Sequence, residues 1–96
     1  MQGVIRNYSG EGAAELFDLL EAHAADVQSL MGSVNGLVSY VLARSDNGGF
    51  SVTVCQDKAG IDESLQKARD WIAKNAGKTA IVAPEVSVGS VIVHVK

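Results

Sequence analysis

Near the middle of the chain, Ser45-Asp46-Asn47-Gly48-Gly49 separates two apolar runs, Leu37–Ala43 and Phe50–Cys55. Asn-Gly supplies the left-handed backbone that a tight antiparallel turn requires, so the two runs read as the arms of a β-hairpin. On its N-terminal side the apolar residues follow another period. At about 100° per residue, Ala13, Leu16, Phe17, Leu20, Ala24, Val27 and Met31 share one side, with Glu15, Asp18, Glu21 and Gln28 opposite. That pattern predicts one amphipathic helix over Glu11–Met31, with Ser9 as N-cap and Gly32 as its stop. On the C-terminal side, Ile61, Leu65, Ala68 and Ile72 form the stripe of a second helix over Asp57–Ala76, with Asp62, Glu63, Lys67 and Asp70 toward water and Gly77 at its end.

Two strands complete the pattern. Gly3–Tyr8 is a short β-branched and aromatic run ending at the turn-like Ser9-Gly10, and Pro84 opens a last strand that runs to the C-terminus. In that last strand Val86 and Val88 point one way and Val91, Val93 and Val95 the other, which calls for a bulge at Gly89-Ser90. Lys78–Ala83 has no clear period. The order is therefore βαββαβ. Two right-handed crossovers interleave into a four-stranded antiparallel sheet with two helices on one face, a ferredoxin-like α+β arrangement. With 96 residues, the whole of 1–96 makes one domain.

The sheet's second face carries its own information. Val38, Tyr40 and Leu42 lie on one side of their strand, and Leu37, Val41 and Ala43 on the other. Two helices cover one face only, and a bare apolar face of that size is rare on monomers. A twofold partner packed sheet to sheet is the simplest cover, so a homodimer through the sheet face is expected.

Composition removes several classes of function. The net charge is −3 and the eight Lys and Arg are scattered, so no basic stripe for nucleic acid exists. A single cysteine, Cys55, allows neither an intrachain disulfide nor a thiolate metal cluster, and it reads as a small core residue. The two histidines, His23 and His94, have no metal-ligand spacing. The N-terminus carries neither a signal-peptide pattern nor a membrane anchor, so a cytoplasmic protein without membrane contacts is expected.

Some residues invite chemistry. Gly10-Glu11-Gly12 follows a strand and opens a helix, but Glu15 occupies the third glycine position of a dinucleotide loop and would repel a pyrophosphate; the glycines are better read as a flexible start to the helix. His23 falls within the apolar arc of the first helix, either as a core or dimer-contact residue or as a neutral imidazole facing a cavity. Trp71 stands at the edge of the second helix's stripe, with Asn75 one turn on. Arg6, Asn7 and Tyr8 are polar in what should be a central strand, where a buried Asn7 needs a partner.

With Asn7 near the end of the first strand and Asp70-Trp71 in the second helix, the whole chain resembles the dimeric α+β barrel superfamily, particularly the antibiotic-biosynthesis-monooxygenase-like domains. The resemblance implies a dimer whose sheets close a barrel, with a cavity between sheet and helices in each subunit. Haem-degrading members carry an Asn in the first strand and a Trp in the second helix, matched by Asn7 and Trp71. They also place a haem-ligating His some three turns beyond the Trp, where Lys78–Val82 contains none. Quinone-forming members place an Asn one turn before the Trp and a Tyr shortly after it, where this chain has Lys67 and Gly77.

Three functions follow from that likeness. The first is a small-molecule-binding domain with cofactor-independent monooxygenase activity on an aromatic or quinol substrate. In it Asn7, Trp71 and His23 are the catalytic candidates, Tyr8, Tyr40 and Asn75 bind substrate, and neither metal nor cofactor is expected. The second is a non-catalytic binding or stress-associated dimeric barrel, and the third is haem binding or degradation.

Overall fold

The computed structural model describes residues 1–95. The elements run β1 (Gln2–Ser9), α1 (Ala13–Ala22), α2 (Ala24–Gly32), β2 (Leu37–Ser45), β3 (Gly48–Cys55), α3 (Lys58–Ala76) and β4 (Glu85–Ser90). The strands form one antiparallel sheet in the order β2-β3-β1-β4. This is the ferredoxin-like α+β arrangement that the order of elements predicts. The hairpin turn is Asp46-Asn47, with Ser45 opposite Gly48. The Asp57 carboxylate caps α3 by accepting from the Gly60 N–H at 3.0 Å.

Alternation along the strands decides which side chains meet the helices. Val4, Arg6 and Tyr8 of β1 and Ser51, Thr53 and Cys55 of β3 are buried beneath them. Leu16, Phe17, Val27, Met31 and Ile61 pack down from the helices onto this face. Cys55 is fully buried, and burial followed by the nearby Asp57 and Glu63 charges pushes its thiol pKa up, in keeping with a core residue rather than a nucleophile.

Five local expectations are corrected. The first helix breaks at His23, whose φ of −114° and ψ of 29° leave the helical region, and three helices result. Neither Pro nor Gly stands at the break; α1 packs on β1 and β3 whereas α2 packs on β2 and α3, so the segments follow different surfaces. The N-cap of α1 is Gly12, not Ser9, which still belongs to β1. Gly12 has φ 81°, and a Cβ there would stand 1.9 Å from the Ala80 carbonyl oxygen, so its glycine serves a fixed close approach rather than flexibility.

The other two corrections concern β-bulges. β4 ends at Ser90, opposite Gln2 at the start of β1. Beyond it only the Val91 N–H still finds β1's side of the sheet, donating to the Met1 carbonyl at 3.0 Å. The shift of parity after Gly89 therefore coincides with the end of β4 and not with a bulge. A register shift lies instead in β2, between Leu37 and Ser39. It sets Leu37 opposite Cys55 and so on the same face as Tyr40 and Leu42, reversing the side expected for Leu37.

The outer face is apolar and open. Val41, Val52 and Ile5 form one row across β2, β3 and β1, with Phe50 beside it. Val41 is 53% and Ile5 47% exposed. Among the described residues no helix is long and apolar enough to cross a membrane.

Candidate functional site

The strand register brings a polar floor together under the helices. Leu42, Ser51, Arg6 and Val86 are successive cross-strand partners, so the Arg6 and Ser51 side chains lie next to each other on the helix-facing side. In the flanking rows Tyr40 pairs with Thr53, and Tyr8 with Gly49. A small, partly open cavity of about 30 Å³ lies over this floor, lined by Arg6, Tyr8, Tyr40 and Ser51 from the sheet and by Trp71 and Ile72 from α3.

Two larger clefts flank the cavity. One of about 440 Å³ lies between α1–α2 and β2 and shares Tyr40, Leu42, Val27 and Met31 with it. The other, of about 420 Å³, lies between α3 and β4 and shares Arg6, Tyr8 and Ile72. The cavity thus lies between the two clefts and shares side chains with each.

Its electrostatics are unusual for so apolar an interior. Arg6 is only 6% exposed; its Nη2 donates to the Tyr8 phenol oxygen, and its guanidinium lies 5.2 Å from the Tyr8 ring centroid. Among the described residues no carboxylate pairs with it. Arg44 is the contrast: it reaches Asp18 and Glu21 at 2.8 Å each from a half-exposed position. The Ser51 hydroxyl, 2% exposed, has no hydrogen-bond partner among the described residues.

Burial pushes the Tyr8 and Tyr40 phenols above their ordinary pKa, with the Arg6 charge working in the opposite sense at both. Both are neutral donors at neutral pH. Because the phenols ionise more readily in the unfolded chain, the stability this confers is complete below about pH 10 and declines as pH rises above it. Unfolding midpoints followed from about pH 8 to about pH 11 should fall less for Tyr40→Phe than for the natural protein. A steeper fall in the variant would contradict the assignment.

The structure gathers Tyr8, Tyr40 and Trp71 at the cavity and places the other candidates elsewhere. Asn7 points to the outer face, opposite Phe50 and Glu85, because Val4, Arg6 and Tyr8 hold the inward parity of β1. Asn75 is exposed, and its side-chain amide donates to the Trp71 carbonyl at 2.9 Å, within the helix. His23 stands at the rim with its side chain 42% exposed, edge-on to Trp71 with centroids 5.9 Å apart and Nδ1 3.5 Å from the Asp26 carboxylate. His94 is exposed beyond β4. Neither histidine lines the cavity or either cleft. A haem would therefore find no histidine in these spaces, where Tyr8, Tyr40 and Met31 are the residues of a type that can ligate its iron.

Arg6 and Ser51 are the members of the site that reading the sequence misses. The signal was present in the alternation Val4, Arg6, Tyr8: Val4 and Tyr8 are the better anchors for the buried side, and they carry Arg6 inward with them. Ser51 shares the parity of Thr53 and Cys55 in the same way.

No protein-family model matches the chain, and no curated protein matches it. Solved structures do. A protein of unknown function from Nitrosomonas europaea superposes with a TM-score of 0.72 at 15% identity, over 99% of this chain and 91% of that one. SnoaB, a cofactor-independent oxygenase from Streptomyces nogalater, does so with 0.61 at 18% identity, over 97% and 93%. A candidate antibiotic biosynthesis monooxygenase from Chloroflexus aurantiacus gives 0.66 at 20%, over 99% and 96%. The neighbours also include a dimeric ferredoxin-like protein from an uncultured marine organism. They are antibiotic-biosynthesis-monooxygenase-like α+β proteins, as the sequence resemblance implied. At these identities the likeness establishes the fold and leaves activity to the site itself.

Proposed function

We propose that the protein is a homodimer, joined through its outer sheet face, that binds a small aromatic or quinol molecule between sheet and helices and oxygenates it without a cofactor. The observation that carries this reading is the meeting of Tyr8, Tyr40 and Trp71 at one small cavity that shares side chains with two clefts. The likeness to a cofactor-independent oxygenase supports it at the level of fold.

In such a reaction a phenol loses its proton, the electron-rich ring reduces O₂, one oxygen atom enters the ring and the other leaves as water. The ring supplies the electrons, and a quinone results. Tyr8 and Tyr40 are protonated donors placed to hold developing oxyanion charge in a water-poor space. Trp71 walls the cavity in which the reacting oxygen would sit, with His23 packed behind it at the rim. Asn7, Asn75 and a haem have no part in this scheme.

The small size of this cavity favours a second reading, a binding domain without turnover. One assay separates the two. With 1,5-dihydroxynaphthalene as substrate, the first predicts oxygen uptake matched by formation of the hydroxynaphthoquinone, and a fall of roughly tenfold to a hundredfold in kcat/KM for Trp71→Ala. Binding of the diol with no oxygen uptake above the buffer rate would select the second.

A further inference from the structure

We propose that this site is selective for a flat apolar anion, an arene carboxylate or phenolate, whose charged oxygen is taken by Arg6 and Ser51 while its ring lies in the cleft between α3 and β4. The proposal rests on the reading of the site as a small-molecule pocket and adds the charge of the ligand to it.

A buried guanidinium without a carboxylate is a costly arrangement, because the charge has left water and gained no opposite charge in return. The chain shows how it neutralises an arginine when neutrality serves: Arg44 has two carboxylates. Arg6, far more buried, has among the described residues only the Tyr8 phenol oxygen as a side-chain hydrogen-bond acceptor. That contact leaves the remaining N–H groups of the fork available, and since the Tyr8 oxygen accepts from Arg6, its own proton is free to donate.

Ser51 is an independent observation pointing to the same spot. Its hydroxyl is buried and without a partner, and it stands directly across the β1–β3 ladder from Arg6. A donor fork beside an orphaned hydroxyl forms a receptor for one oxyanion.

Charge decides which cleft holds the ring. The space between α3 and β4 is lined by Arg6 and Arg69, with no acidic residue, in a chain whose net charge is −3. Leu65, Ile72, Ile81 and Pro84 provide its apolar walls. The opposite cleft contains Glu21 and Arg44, already paired with each other.

The test compares 2-naphthoate, 2-naphthol and the neutral 2-naphthalenemethanol by titration calorimetry at pH 7 on the full chain. The naphthoate should bind roughly tenfold to a hundredfold more tightly than the neutral alcohol, the range that one charge-assisted hydrogen bond supports. Arg6→Met should bring that ratio close to one, and Ser51→Ala should reduce it in part. If 2-naphthol also binds tightly and shows naphtholate absorbance in the complex, the anion is a phenolate; if only naphthoate binds tightly, it is a carboxylate. Equal affinity for naphthoate and the alcohol in the natural protein would overturn the proposal while leaving an aromatic pocket standing. Failure of all three to bind would overturn both, and a preference that survives Arg6→Met would remove Arg6. The natural protein's ratio decides the matter even where Arg6→Met does not fold.

Discussion

Replacing Phe17 by alanine should cost about 3–5 kcal/mol of folding stability, the largest effect expected from any single core truncation here. Phe17 is 1% exposed and packs edge-on to Tyr8, with ring centroids 6.0 Å apart. Its slot exists because β3 has no side chain at Gly49: a Cβ there would stand 2.2 Å from Phe17 Cε2 and 2.5 Å from the Ala43 carbonyl oxygen. Truncation leaves a cavity floored by backbone, which cannot collapse easily. For a domain of this size each kcal/mol moves the midpoint by about 4–8 °C, so the loss should be at least about 12 °C. Urea denaturation should show a lower midpoint at unchanged slope. The reciprocal change, Gly49→Ala, should also destabilise, and Phe17→Leu with Gly49→Ala should cost less than the sum of the two singles. Strict additivity would show that the ring does not depend on the missing Cβ.

Val41→Lys should convert the proposed dimer into a monomer. Val41 heads the outer row that continues through Val52 to Ile5, on the face that no helix covers. In a twofold interface each substitution appears twice, so two ammonium groups would be buried without partners. Truncated or unpaired buried charges cost about 3–5 kcal/mol apiece, enough to raise the dimer dissociation constant by several orders of magnitude. Native mass spectrometry at micromolar protein should show dimer for the natural chain and monomer for the variant. A variant that remains dimeric would place the interface elsewhere, and a natural chain that is monomeric would leave the outer face without the partner proposed for it.

The two effects bear on different layers. Phe17 holds the helices to the inner face, where Tyr8 and the cavity lie, so its loss should disturb the pocket as well as the fold. Val41 faces away from the pocket, and its substitution should leave ligand binding within a subunit measurable.

The order of elements, the position of the hairpin and the extent of α3 were determined by local sequence. Turn residues at 45–49, the 3.6-residue stripe of Ile61, Leu65, Ala68 and Ile72, and an Asp at the N-cap act through neighbours in the chain, so their consequences are legible in it. The break at His23 was not, because its cause is the change of packing partner from α1 to α2. The end of β4 was not, since it depends on the register of its pairing with β1. Nor was the side of β2 that Leu37 faces, which follows from a register shift against β3.

The site divides in the same way. Residue type singled out Tyr8 and Tyr40, because buried aromatics with polar ends are informative wherever they stand, and the family resemblance singled out Trp71. Which of Arg6 and Asn7 enters the pocket is a matter of strand parity, and parity shows only once one face is known to lie beneath the helices. The sequence by itself determined a ferredoxin-like domain with aromatic candidates. Only the tertiary structure decided that the polar floor beneath them is Arg6 and Ser51, because a period of two permits either face and packing of the helices selects one.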